Sequence, residues 1–189
     1  HAGQKVQWVY CDAEPQSDIC DMFVGARHNE CLARGMNKQA VACVTQTIVN
    51  RQDPAFEHPS KPIGSFMDEA TARQRAENEG WVIVEDAGRG WRRVVPSPIP
   101  QRIVEADAIH NLIGAGFVVV GVGGGGIPVI EHPHGDLEGV EAVIDKDFGS
   151  SLLATMIQAD LFVISTAVEK AAIHFNKPNL HFFGYGDNR

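Results

Sequence analysis

Apolar and polar positions fall into short blocks along this chain, and each block predicts an element. Ala40–Val49 (AVACVTQTIV) is apolar and β-branched, which predicts a strand. Asp53-Pro54, Pro59, Pro62 and Gly64 then break regular structure. Met67–Gly80 is rich in Glu, Ala and Arg and predicts an exposed helix. Trp81–Val84 and Trp91–Val95 are β-prone runs separated by EDAGRG, the pattern of a hairpin with a long glycine loop. Pro96, Pro98 and Pro100 predict a stiff connector. Ile103, Ala106, Ile109, Leu112 and Ile113 follow helical spacing, and Gly114 and Gly116 end that helix. Phe117–Val122 is wholly apolar, as in a strand covered on both faces. Val140–Ile144 predicts a short strand and Leu161–Ile164 a second buried one, with a helix face at Leu152, Leu153, Met156 and Ile157 between them. Residues 1–38 show no sustained period. Helix and strand alternate in the second half, so the layout is α/β with a parallel sheet.

Composition narrows the function. A chain of 189 residues is one domain, or one with a small appendage. With 44% hydrophobic and 21% charged residues it has enough apolar surface for a core. Its longest apolar run, Gly116–Val122, is far short of the ~20 residues that span a bilayer, so no membrane partner is expected. A net charge of −8 argues against a nucleic-acid surface, though a few local cations could still hold a phosphate. Cysteines stand at 11, 20, 31 and 43 with no CxxC pair, so reduced thiols and a cytoplasmic location are expected rather than a zinc ribbon. The chain begins at His1 rather than Met, which suggests a fragment or a processed product.

Three segments could carry chemistry. In VVVGVGGGGIPVI (118–130), Gly123, Gly124, Gly125 and Gly126 follow an apolar strand, where ligands bind in open α/β sheets and exposed amides cradle phosphate. A tight turn is the other reading, but one glycine would satisfy it. It is not a P-loop. In AVIDKDFGSS (142–151), Asp147 or Ser150 could cap a helix. Lys146 is harder to explain that way, because a cation opposes the dipole at a helix N-terminus. Beside an anion-binding turn it could neutralise a phosphoryl group in transfer. In EDAGRGWRRVVPSP (85–98), Arg89, Arg92 and Arg93 could grip an anion or simply face solvent, and Lys61 in HPSKPIG is either a loop lysine or a positioned cation. His132 and His134 read as exposed rather than as metal ligands. Ser165-Thr166 could contact a nucleotide or cap a helix, with Glu169 at capping-box spacing.

DPAFEHPSKPIGSF (53–66), EDAGRGWRRVVPSPIP (85–100), GGGGIPVI (123–130), GVEAVIDKDF (139–148) and ISTAVEKAAIHFNKP (164–178) together resemble carbamate kinase, of the amino-acid kinase family. The resemblance implies a three-layer αβα sandwich on a mainly parallel sheet, incomplete here at both ends. It implies reversible phosphoryl transfer between carbamoyl phosphate and ADP, giving ATP and carbamate with Mg²⁺, in a cytoplasmic homodimer serving arginine or purine-derived nitrogen catabolism. Residues 1–49 would be part of an N-terminal lobe, 50–95 a protruding subdomain over the substrate, and 96–189 a nucleotide-binding lobe. Lys61 and Lys146 match catalytic lysines, Asp147 an aspartate that orients them, and Arg89 with Lys61 would meet substrate. Gly123–Gly126, Ser165, Thr166 and Val168 lie where the family binds nucleotide. The family's GGNA turn, its HGNGPQVG loop and its GSMxPK segment do not occur in these residues, and Ala167 stands in ISTAV where common members have Asp. The competing expectation is therefore an inactive relative that binds nucleotide or pairs with a full-length subunit. A kinase for an acidic amino acid is disfavoured by EDAGRGWRR and KPIG.

Overall fold

The computed structural model describes residues 8–86, 88–166, 172–174 and 178–182. Its elements run α1 (Trp8–Ala33), β1 (Ala40–Ala42), β2 (Gln46–Val49), β3 (Lys61–Met67), α2 (Glu69–Glu79), β4 (Val82–Glu85), β5 (Trp91–Val95), β6 (Pro100–Ile103), α3 (Ala106–Gly114), β7 (Val118–Val120), β8 (Ile127–Glu131), β9 (Leu137–Gly139) and α4 (Lys146–Met156). A short bridge pairs Ala172–Ile173 with His181–Phe182. The chain is thus an α/β protein, with both parallel and antiparallel pairing.

The run Ala40–Val49 is not one strand but two. β1 pairs in parallel with β7, Ala40 opposite Val118, and β2 pairs in parallel with β8, Gln46 opposite Ile127. Both members of this ribbon break at the same level. Cys43–Thr45 interrupts one side and the glycine segment interrupts the other. The cause is side-chain chemistry: the buried Thr45 hydroxyl accepts from the Val122 amide at 3.0 Å, and the buried Thr47 hydroxyl donates to the Gly125 carbonyl at 2.8 Å. Antiparallel β6 and β9 complete the larger sheet in the order β6-β2-β8-β9.

Buried side chains lie on both faces of that sheet. Ile48, Ile127 and Val129 pack with Val104. Val49, Ile130 and Ile144 pack with Phe56 and Val140. Ile103, Ala106 and Val122 pack with Leu152 and Leu153 of α4. Burial of such side chains supplies roughly 1.5–3 kcal/mol each.

β3, β5 and β4 form a separate three-stranded sheet in the order β3-β5-β4, carrying α2. The hairpin and the helix appear where the hydrophobic pattern put them. Asp68 caps α2 by accepting from Thr71, and Gly80 ends it in the left-handed region at φ 68°. Cations lie over aromatic rings throughout this unit: Arg93 over Trp81, Arg73 over Trp91, Arg89 and Arg92 over Phe66.

Three further expectations fail, and one segment that the sequence left without a reading proves helical. Residues 8–33 form a long helix, which the sequence hides because its apolar residues have no helical period and Pro15 interrupts it. The helix expected from Ile103 starts at Ala106, because Ile103 is the last residue of β6. Val140–Ile144 is not a strand; its residues fold down onto Val49 and Ile130 from the loop that follows β9. Leu161–Ile164 is neither a strand nor buried: Leu161 is 78% and Val163 73% exposed. An apolar run becomes a core strand only where layers cover both faces, and among the described residues none cover this one. β7 is likewise shorter than Phe117–Val122 and only half-buried.

Candidate active site

The site is built where α4 begins. Asp145 has an extended backbone, and its Oδ1 accepts from the Asp147 amide at 2.9 Å, so the cap is Asp145 and neither Asp147 nor Ser150. Its other oxygen, Oδ2, accepts from Lys61 Nζ at 2.6 Å, across 84 positions of sequence. That bond places the lysine that opens β3 at the helix start. The pair is two-thirds buried, with side-chain exposures of 34% and 33%. One residue on, Lys146 is exposed and its Nζ lies 2.9 Å from Asp147 Oδ1. Two lysines and two carboxylates therefore meet on a single helical turn.

The electrostatics follow from this geometry. The hydrogen bond from Lys61 holds the Asp145 carboxyl below the usual carboxylate range; burial opposes this and the Asp147 amide adds to it. The Asp147 carboxylate raises the Lys146 ammonium above its usual value, so Lys146 is charged at neutral pH. Asp145 is depressed in the folded state, so its contribution to stability is complete above the unfolded-state pKa. It is lost as pH falls through the folded-state pKa. Urea midpoints are expected to fall below about pH 4 in the natural chain, with a shallower fall in Asp145→Asn. Superimposable midpoint–pH curves for the two would refute this account.

The glycine turn sits against the same helix start. Gly123–Gly125 form a single tight 3-10 turn entered through Val122, whose φ of 55° is unusual for a β-branched residue. A Cβ on Gly125 (φ 101°) would lie 2.7 Å from the Ile144 carbonyl oxygen, and one on Gly126 (φ 87°) 2.2 Å from Thr47 Oγ1. Gly149 in α4 is buried against Gly125 and Val122, where its own Cβ would come within 3.0 Å of the Gly125 carbonyl. Packing thus accounts for two of the four glycines. The amides of Gly125 and Gly126 donate to the Val122 and Gly123 carbonyls, inside the turn. Gly124 is exposed, with open space where a Cβ would stand.

Other candidates lie elsewhere. Arg89 is at the far tip of the β4–β5 hairpin, bonded to Asp86 at 2.7 Å and stacked on Phe66. Lys61 pairs with Val95 at the base of the same sheet, and Met67 with Trp91 at the tip. β3 bulges between Ile63 and Met67, so the two ends are separated by the four residues of β5 from Val95 to Trp91, roughly 13 Å at the usual rise, and Arg89 lies beyond Trp91 in the loop. The structure does not bring Arg89 to Lys61. Arg92 bonds the Gly64 carbonyl at 3.0 Å. Ser165 and Thr166 are exposed and outside regular structure. Val168 and Glu169 lie outside the described residues, so neither the nucleotide contact nor the capping box is drawn there. His132 pairs with Glu138 at 2.8 Å, and no group of three His, Cys, Asp or Glu poised for a metal occurs among the described residues. Asp145, Thr45, Thr47 and Gly149 are the residues that sequence reasoning missed. The signal for Asp145 was there: in IDKD it precedes the lysine by one, where a helix cap belongs.

No family model matches the chain. Individual proteins do. A carbamate kinase of Thermococcus kodakarensis is 49% identical over 97% of this chain and 60% of its own length. The carbamate kinase-like protein YahI of Escherichia coli is 53% identical over 89% of this chain and 53% of its own. The solved carbamate kinase of Giardia lamblia bound to AMP-PNP superposes with a TM-score of 0.79 at 41% identity, over 96% of this chain and 57% of that one. The chain spans little more than half the length of the curated relatives it matches.

Proposed function

We propose that this chain, homologous to the carbamate kinases along nearly its whole length, carries the cationic wall of an ATP:carbamate phosphotransferase. The reaction is reversible transfer of a phosphoryl group between carbamoyl phosphate and ADP, giving ATP and carbamate. The observation that carries the reading is the convergence of Lys61 and Lys146 on the first turn of α4, through Asp145 and Asp147. Phosphoryl transfer asks little covalent chemistry of a protein; it asks for cations already in place around the moving group. In this reading Lys61 and Lys146 neutralise the transferring group and Asp147 orients Lys146. Gly123 and Gly124 are the part of the turn left for the nucleotide, with Ser165, Thr166 and Val168 beyond it.

A solved relative bound to AMP-PNP supports ATP and ADP as the nucleotide pair. Mg²⁺ is proposed only as a companion of the nucleotide. Asp145 and Asp147 are engaged by lysines, and the described residues hold no carboxylate cage, so the phosphates would hold it. No described helix is long and apolar enough to cross a membrane. The cysteines described at 20, 31 and 43 are free thiols, with burial pushing Cys20 and Cys43 above the usual thiol range, and a cytoplasmic compartment belongs to the same carbamate kinase reading. Exposed Met22 and Leu32, which fall within one face of α1, fit a surface covered in a homodimer.

The test is ADP-dependent ATP formation from carbamoyl phosphate by the purified chain. Turnover supports the reading. The second reading, a nucleotide-binding or subunit-pairing relative without catalysis, draws on exposed Leu161–Ile164. Calorimetric ADP binding without turnover would favour it, and turnover would reject it.

A further inference from the structure

The β3-β5-β4 unit packs mainly on itself. Its strands pair with one another and with α2, and its two connectors, 50–60 and 96–99, carry no long element. A backbone bond from Val143 to the Pro96 carbonyl ties one connector down near α4. Beyond that, Lys61 and Asp145 form a charged bridge from the unit to the helix start. Lys61 is the first residue of β3, so its backbone is fixed by pairing with Val95, and its side chain has one strand-anchored origin.

We propose that Asp145 is a positioning residue with its two oxygens divided: Oδ1 caps α4, while Oδ2 holds the Lys61 ammonium beside Lys146, where a phosphoryl group would arrive. A carboxylate offers two acceptor oxygens, so one residue does both without leaving either partner short. Asparagine would serve the cap as well as aspartate, but it would carry no charge for Lys61. The pair is one-third exposed, open enough for an oxyanion to compete with Asp145 for the same ammonium. Two cations face two carboxylates here, so an arriving phosphoryl group is accommodated only as Lys61 exchanges Asp145 for it. The docking of Lys61 stands on geometry alone; the exchange rests on the phosphotransferase reading.

Asp145→Asn separates the two roles, because it keeps the cap and removes the charge. Without that charge the site is more cationic, so inorganic phosphate is expected to bind several-fold tighter. Lys61 is then no longer held. Misplacement of a catalytic group by about 1 Å costs on the order of 10²-fold, so kcat is expected to fall 10- to 100-fold, by that order-of-magnitude reasoning, while KM for carbamoyl phosphate falls or holds. A merely structural role would leave kcat of the folded protein and its affinity for inorganic phosphate unchanged.

The docking is read without turnover by ammonium-selective NMR, with the Lys61 signal assigned through Lys61→Met. That signal is expected to be slow to exchange in the natural chain and in Asp147→Asn, and to be lost in Asp145→Asn while the first-turn amides of α4 keep their protection. A Lys61 signal unchanged in Asp145→Asn overturns the proposal. Should that variant lose its fold, Lys61→Met tests the pair from the other side. The Asp145 carboxyl-carbon shift must move in it, and an unmoved shift equally overturns the proposal. If Lys61 depends on Asp145 but responds neither to inorganic phosphate nor to carbamoyl phosphate, the docking stands and the phosphotransferase reading falls.

Discussion

On the proposed phosphotransferase reading, Lys146→Ala is expected to lower ATP formation from carbamoyl phosphate by about 10²–10³-fold in kcat, the scale seen when one preorganised charge-stabilising group is removed, with ADP affinity changed far less. The expectation is sharp because Lys146 has no other evident work. It is the first residue of α4, where a cation is unfavourable to the helix dipole. It is exposed, and its ammonium bonds the neighbouring Asp147. An exposed pair of this kind contributes little to stability. Alanine at that position is a good helix former, so thermal stability should hold or rise slightly. Loss of turnover with unchanged stability would single out Lys146 as a group that acts on the transferring phosphoryl. Near-normal turnover in Lys146→Ala would end the assignment, since no other described cation stands at that helix start except Lys61, already bonded to Asp145.

Part of this fold is legible in the sequence. The α2 helix, the β4–β5 hairpin and the α4 face each announce themselves through local chemistry: helix formers closed by Gly80, β-branched runs flanking a glycine loop, and apolar residues at helical spacing. The order of the motifs also carries the resemblance to the carbamate kinases. What failed were features decided by distant partners. Ala40–Val49 reads as one strand because nothing local says that the Thr45 and Thr47 hydroxyls are spent on a turn some 77 residues away. Leu161–Ile164 has the composition of a core strand without the covering layers. At the site, Lys61 and Lys146 were named from the sequence, yet Arg89 was grouped with them because one loop holds many arginines. Strand register, which composition does not reveal, sets Arg89 at the opposite end of the unit. Asp145 was overlooked because its capping role and its ion pair with Lys61 use different oxygens, and only the first leaves a local trace.

The glycine turn yields the second large effect, in stability. Gly125→Ala is expected to destabilise the fold by roughly 3–5 kcal/mol, a large share of the 5–15 kcal/mol that holds a typical domain. Two costs add. Left-handed backbone penalises an L side chain by about 1–2 kcal/mol, and Gly125 has φ 101°. The new methyl would also stand 2.7 Å from the Ile144 carbonyl oxygen and 2.8 Å from its Cβ. Overpacking a tight site costs roughly 1–3 kcal/mol when neighbours can move. Here the obstacle is largely backbone, and Ile144 is itself buried between Val49 and Ile130. Relief would have to come from shifting residue 144 and with it Asp145, so the strain runs directly into the α4 cap and the Lys61 pair. Gly124→Ala is the control. It shares the positive φ, at 65°, but meets nothing within 4 Å. It should cost only about 1 kcal/mol by the same backbone argument. Urea unfolding of the two variants separates the readings of this turn. A large loss for Gly125→Ala with a small one for Gly124→Ala assigns Gly125 to packing. It leaves Gly124 as the position where a methyl could weaken ADP binding without disturbing the fold. Equal losses would mean that the turn relaxes as a unit, and the assignment of separate roles to its glycines would fail.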